Sequence, residues 1–281
     1  MPAPIEQRCA PFRVIVLCDN DSGHPACGCE WGLALALDLG GQGLWLWDTG
    51  KTDLFLRNAK ALGLDVGLAR GLALSHGHYD HTGGLAALCS RTAFSAPIYA
   101  HPTCALKRYA EEPEGKPRRV IGPPAPLPAF IPASPLTFLA PGLTMIADIP
   151  RRPGNFEAVR GFSLDLAGTQ ADDVPDDAFL VLESAHGPVV ILGCCHSGLA
   201  NSLAAAQERL GLSRIFAVLG GLHLFQAGPE ALEETARTLE EYDVRRLIAG
   251  HCTGPDRLSR LAERLPGRDV LPLAAGQIWH F

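Results

Sequence analysis

Four times along this chain a mostly apolar run stops at a glycine-flanked turn that carries a histidine, and a segment of helical periodicity follows. The runs are Gly71–Leu74, Val189–Leu192, Arg214–Leu219 and Arg245–Ala249, and the turns after them carry His76, His196, His223 and His251. A strand that ends in such a turn and opens a helix delivers the turn's side chains to the carboxyl end of a sheet, where α/β proteins place their sites. Histidines retained for packing need not fall at equivalent strand ends, whereas a metal site shared along one sheet edge requires it. The pattern predicts an α/β protein with one composite site.

The first of these turns is the densest. Ser75–Gly84 reads Ser-His-Gly-His-Tyr-Asp-His-Thr-Gly-Gly, so His76, His78, Asp80 and His81 fall within six positions of a chain that holds only ten histidines. Imidazole and carboxylate are the usual ligands of zinc and its neighbours. With the later turns, the candidate metal ligands are His76, His78, Asp80, His81, His196 and His251. His223 stays open between a substrate contact and a structural hydrogen bond. His101, alone at the end of Ala96–His101, reads as a structural residue. His24, Cys27 and Cys29 fall short of the paired spacing of structural zinc sites and read as part of a loop with free thiols.

Composition bounds what surrounds the turns. In 281 residues, 47% hydrophobic and 19% charged, there is enough apolar material for a large core. The formal net charge of −6 supplies no footprint for polyanions, so nucleic acid is not an expected partner and a small-molecule substrate is. No apolar run approaches the roughly 20 residues that span a bilayer, and Met1–Glu6 lacks the basic start and apolar stretch of an export signal, so no membrane association and a cytoplasmic location are expected. Nine cysteines, an odd and uneven set, read as reduced thiols. Prolines crowd residues 111–135, which excludes a helix or a central strand there. Because strand patterns resume on both sides, this is an insertion or lid within one domain spanning 1–281. Thr52 reads as the cap of a helix, Arg160–Leu166 as a strand, and Arg118, Arg119, Arg151 and Arg152 either as solvated charges or as a phosphate site.

On these motifs the chain resembles the metallo-β-lactamase superfamily, whose fold is a four-layer αββα sandwich with a two-metal site at one edge of its paired sheets. Trp47-Asp48-Thr49-Gly50 is similar to the family's early Asp-Thr-Gly turn and Ser75–Gly84 to its signature loop. Gly193–Asn201, Gly220–Leu224, His251–Gly254, Ile149–Arg151 and Asp176–Ala178 resemble a branch labelled dihydropterin-ribofuranosylaminobenzene-phosphate synthase-like. The resemblance implies that His76, His78 and His196 bind a first metal, and that Asp80, His81 and His251 bind a second. Many members carry a bridging carboxylate at the end of the strand that here ends in Cys195-His196. This chain departs there, leaving His196, solvent, Asp177 or Cys195 to fill the place.

Such a centre implies zinc, one or two ions, with manganese or iron admitted because Asp80 hardens the ligand set. It lowers the pKa of a shared water and supplies hydroxide for hydrolysis of a small phosphorylated or ester-like substrate, or for the transfer the branch label implies. Asp80 and His223 are the catalytic candidates, His223 as acid or anion contact, and Ser75 and Asp48 would orient ligand imidazoles. The competing readings are a nuclease or phosphodiesterase and a non-catalytic metal-bound sensor.

Overall fold

The computed structural model describes residues 11–113 and 116–281, so Met1–Glu6, read above for an export signal, lies outside the described residues. In chain order its strands are β1 (Arg13–Cys18), β2 (Ala34–Asp38), β3 (Leu44–Trp47), β4 (Gly71–Ala73), β5 (Ile98–Ala100), β6 (Tyr109–Ala110), β7 (Arg119–Val120), β8 (Ile131–Pro132), β9 (Leu136–Ala140), β10 (Leu143–Ile146), β11 (Phe162–Ser163), β12 (Phe179–Ser184), β13 (Gly187–Leu192), β14 (Ala217–Gly220), β15 (Arg246–Ala249), β16 (Asp269–Pro272) and β17 (Ile278–His280). The helices are α1 (Leu54–Ala61), α2 (Tyr79–Thr82), α3 (Leu85–Arg91), α4 (Leu199–Leu210), α5 (Pro229–Glu241) and α6 (Pro255–Arg264).

Two seven-stranded sheets run in the orders β17-β1-β2-β3-β4-β5-β8 and β16-β15-β14-β13-β12-β10-β9. Period-two alternation decides which side chain goes to which layer. Along β1, Val14 and Val16 point into the core between the sheets, while Ile15 and Leu17 pack outward with Phe55, Leu85 and Leu88 of α1 and α3. Along β13, Val189 and Ile191 face the inner core, and Val190 and Leu192 face Leu199, Leu203 and Leu239 of α4 and α5. Strands buried on both faces have no polar side to show, which is why they read as continuous apolar runs. The result is the expected four-layer αββα sandwich.

Two close approaches join the sheets beside the histidine turns. Trp47, fully buried at the end of β3, donates its indole N–H to the Leu192 carbonyl at the end of β13 at 3.1 Å. At Gly193 a Cβ would lie 2.3 Å from Ser75 Oγ, so only glycine lets this strand end reach Ser75 and Asp48.

Among its described residues the proline-rich insertion carries the two-residue strands β7 and β8, and Pro132 sits on the edge of the first sheet, where a missing N–H costs no ladder bond. Its Ile121 carbonyl accepts the Tyr79 N–H at 2.9 Å, which anchors the insertion on the histidine loop. The strand expected over Arg160–Leu166 is limited to Phe162–Ser163, in a small sheet ordered β11-β6-β7. Asp165 ends it by accepting the backbone N–H groups of Thr169 and Gln170 and turning the chain. Thr52 stands one residue further out than expected: Asp53 precedes the helix, and the Thr52 hydroxyl accepts the Leu54 N–H at 3.1 Å.

Candidate metal centre

The four histidine turns converge at the carboxyl ends of β4, β13, β14 and β15, the last three being neighbouring parallel strands. Their backbones are strained where the side chains must converge. Of seven non-glycine residues with positive φ among those described, four are here: Asp48 (58°), Cys195 (58°), His223 (49°) and His251 (51°). Each costs on the order of 1–3 kcal/mol and persists only where packing and hydrogen bonds enforce it.

His76, His78 and His196 form the first cluster, their ligand atoms within 4.8 Å of one another and all three buried. Hydrogen bonding decides where their protons sit. Ser75 Oγ gives its one proton to Asp48 Oδ2 at 2.7 Å, so it must accept from His76 Nδ1 at 2.9 Å, leaving His76 Nε2 bare. His196 donates from Nδ1 to the Ala158 carbonyl at 2.7 Å, leaving its Nε2 bare as well. The two bare nitrogens face each other at 3.2 Å, with His78 Nδ1 3.0 Å from His76 Nε2. Facing lone pairs repel in a buried site unless a cation lies among them. The donor set therefore fits a metal ion.

Asp80, His81 and His251 form the second cluster. His251 donates from Nδ1 to Asn20 Oδ1 at 3.1 Å, which leaves its buried Nε2 without a hydrogen-bond partner, 3.6 Å from Asp80 Oδ2. His81 Nδ1 lies 2.7 Å from Asp48 Oδ2, and its Nε2 points at Cys194 Sγ at 3.1 Å. Trp31 Nε1–H donates to Asp80 Oδ2 at 2.9 Å. Ser75, Asp48, Ala158 and Asn20 thus hold four imidazoles so that Nε2 is left facing the cluster, the arrangement that metal-binding histidines require.

Between the two histidine clusters lies Cys194. Its sulfur groups with His76 and His81, and also with His223 and Cys252. Asp177 instead accepts the Ser197 N–H at 2.7 Å and braces the turn, while Cys195 turns toward Ser202 at 3.6 Å in the helix layer. At Cys195 the backbone is left-handed, and its side chain packs in the helix-layer core while the Cys194 sulfur faces the histidine clusters. Trp31 and Asn20 carry no local signal in the sequence and are recruited from distant turns, while Cys252 sits inside the His251–Gly254 motif without its spacing marking it as a donor.

Other candidates fall elsewhere. His101 bonds Asp148 and Thr103 and serves as a structural residue, and His24, Cys27 and Cys29 belong to none of the clusters among the described residues. Arg151 and Arg152 pair with Glu157 and Glu208, and Arg118 donates to the Gly161 carbonyl. Arg119 alone of the four reaches the histidine loop, donating to Tyr79 Oη at 3.1 Å. The mouth is aromatic: Trp31 and Phe225, 41% and 55% exposed, stand 6.2 Å apart edge to face, and the Phe162 ring lies against His78 and His196. Among the described residues no helix is long and apolar enough to cross a membrane.

Burial pushes His76, His78, His196 and His251 well below the ordinary histidine value, followed by repulsion from neighbouring imidazoles at His76, His196 and His251 and from the Arg108 guanidinium at His78. Burial also opposes charge on His81, but Asp48 outweighs it and raises His81 to about 9. Four neutral imidazoles are ready for a metal at neutral pH. Without one they make the fold acid-sensitive, because below about 6.5 an unfolded chain takes up protons that the folded site resists. Stability present above that pH is lost on acidification by up to ~1.4 kcal/mol per histidine per pH unit. Asp177, raised by burial to about 6, offsets part of this by retaining a proton in the fold. Denaturant unfolding of chelator-treated protein at several pH values is expected to show this acid limb, and added metal to suppress it; a flat profile between pH 7 and about 5.5 would contradict it.

Fold and site together define a protein class. The chain belongs to the metallo-β-lactamase superfamily, whose family description matches residues 32–251. It is similar to the 7,8-dihydropterin-6-methyl-4-(β-D-ribofuranosyl)-aminobenzene-5′-phosphate synthase of Methanocaldococcus jannaschii, 27% identical over 267 residues and covering 90% of each chain. It is also similar to the solved structure of Tm1679, described as a metal-dependent hydrolase of the β-lactamase superfamily, with 27% identity, a TM-score of 0.80, and coverage of 95% of this chain and 98% of that one. The metallo-β-lactamase fold protein YhfI of Bacillus subtilis shares the fold at 15% identity and a TM-score of 0.58, over 96% and 99% of the two chains.

Proposed function

We propose that this protein is a metal-dependent hydrolase of a small substrate that joins a phosphoryl or ester group to a flat aromatic one. The observation that carries this reading is the pair of bare, facing imidazole nitrogens on His76 and His196, with a second donor cluster of Asp80, His81 and His251 whose His81 ring packs against that of His76. His76, His78 and His196 would hold one ion, and Asp80, His81 and His251 a second, with zinc the first choice and manganese or iron also suited to the harder second set. When bound, the ions bring a shared water toward neutral pKa and offset charge on the attacked oxygen. Asp80, steadied by Trp31, would accept a proton from that water; Trp31 and Phe225 would grip the aromatic part, and Arg119, ion-paired with Glu112 at 2.8 Å, would exchange that partner to take an anionic group. The relative named as a synthase supports a second reading, transfer on a phosphorylated ribofuranosyl-aminobenzene.

Zinc- or manganese-loaded protein is expected to turn over p-nitrophenyl phosphate or bis(p-nitrophenyl) phosphate, and chelation to abolish this. Phe225→Ala is expected to raise KM for these aromatic substrates by about 2–10-fold, the value of one aromatic contact. Silence on phosphate, ester and lactam substrates alike would favour a metal-bound sensor instead.

A further inference from the structure

Three neighbouring parallel strands deliver one more donor set. Cys194 follows β13, His223 follows β14 and Cys252 follows β15, and their ligand atoms lie within 4.8 Å of one another. Both cysteines are buried. Tetrahedral zinc with Zn–S bonds of about 2.3 Å keeps its donors about 3.8 Å apart, so this spacing suits one ion. Three further features point to a ligand here rather than to packed thiols. His223 Nδ1 is buried without a hydrogen-bond partner. The His223 backbone N–H points at Cys252 Sγ at 3.3 Å, as amides do toward metal-bound thiolates. A Cβ at Gly221 would lie 2.5 Å from that sulfur, so the chain leaves the thiol room to reach the cluster. The Leu222 N–H to Thr253 Oγ1 bond at 3.0 Å locks the two turns in register.

We propose that Cys194, His223 and Cys252 form a soft metal position of their own, for zinc or another thiophilic ion, joined to the histidine centre through the Cys194 sulfur. It has three protein ligands and one open position, and on this assignment His223 is a donor rather than a leaving-group acid. The proposal builds on the metal-centre reading above but has its own spectroscopic signature. Metal-free full-length protein, kept reduced, is titrated with Co2+. Histidine-bound cobalt appears as visible d–d bands and thiolate-bound cobalt as an intense near-ultraviolet charge-transfer band. We expect both in the parent. Cys252→Ser is expected to lower the near-ultraviolet band by about half, one thiolate of two, and to bind one metal fewer, while keeping its visible bands. His223→Ala should also bind one metal fewer, and Cys195→Ser, whose sulfur faces the helix layer, should match the parent; circular dichroism verifies that each variant folds. Visible bands with no thiolate band, or a thiolate band unchanged in Cys252→Ser, overturn the soft position and leave the histidine centre standing. Absence of both bands overturns both readings.

Discussion

His76→Ala is expected to lower turnover by more than about 100-fold and to remove one metal ion per chain. Loss of a group that merely orients a ligand typically costs 10–100-fold in affinity or activity, so loss of a ligand sets a higher floor. His76 is the central donor: its Nε2 lies 3.0 Å from His78 Nδ1 and 3.2 Å from His196 Nε2, and its ring is 4.2 Å, centroid to centroid, from that of His81. A packing role and a ligand role separate by thermal unfolding. In the parent, metal raises Tm through RT ln(1 + [metal]/Kd), and in His76→Ala that increment should shrink sharply. A variant that unfolds early yet keeps the full metal-dependent increment would show that His76 is a core residue and not a ligand.

Arg108→Ala is expected to destabilise the fold by about 3–5 kcal/mol, the usual cost of stripping one partner from a buried ion pair. Arg108 is fully buried. It meets both oxygens of Asp172 at 3.1 and 2.8 Å, Asp176 at 2.6 Å and the Thr103 carbonyl at 3.1 Å. Without the guanidinium, two buried carboxylates face each other with no cation between them. The effect reaches the site, because Asp176 also accepts the Gly77 N–H at 2.7 Å, between His76 and His78. Burial raises the Asp176 carboxyl and Arg108 counters that rise, so Arg108→Ala with Asp176→Asn should recover part of the loss by replacing a buried charge with a neutral acceptor. Denaturant unfolding measures the stability term, and metal titration the effect on the loop. Unfolding at parental denaturant concentrations would contradict this account.

The parts legible in the sequence are those that depend on local order. His76, His78, Asp80 and His81 share one turn, and the strand-turn-helix periodicity around His196 and His251 needs only neighbouring residues to be read. The doubly buried strands are equally plain, since both faces are apolar. Arg108 gave no such signal: its partners lie 64 and 68 residues away, and nothing near it marks it as buried. Trp31 and Asn20 are alike in this, reaching Asp80 and His251 across 49 and 231 residues.

The sequence by itself determined an α/β protein with six candidate donors at its strand ends, because hydrophobic period and turn chemistry act over a few residues; the four-layer sandwich followed from the resemblance of those motifs to the metallo-β-lactamase superfamily. Only the tertiary structure decided that Cys194, rather than Cys195 or Asp177, lies between the two histidine clusters, and that Cys252 lies beside it. That placement depends on the approach of three strands whose register no local pattern specifies.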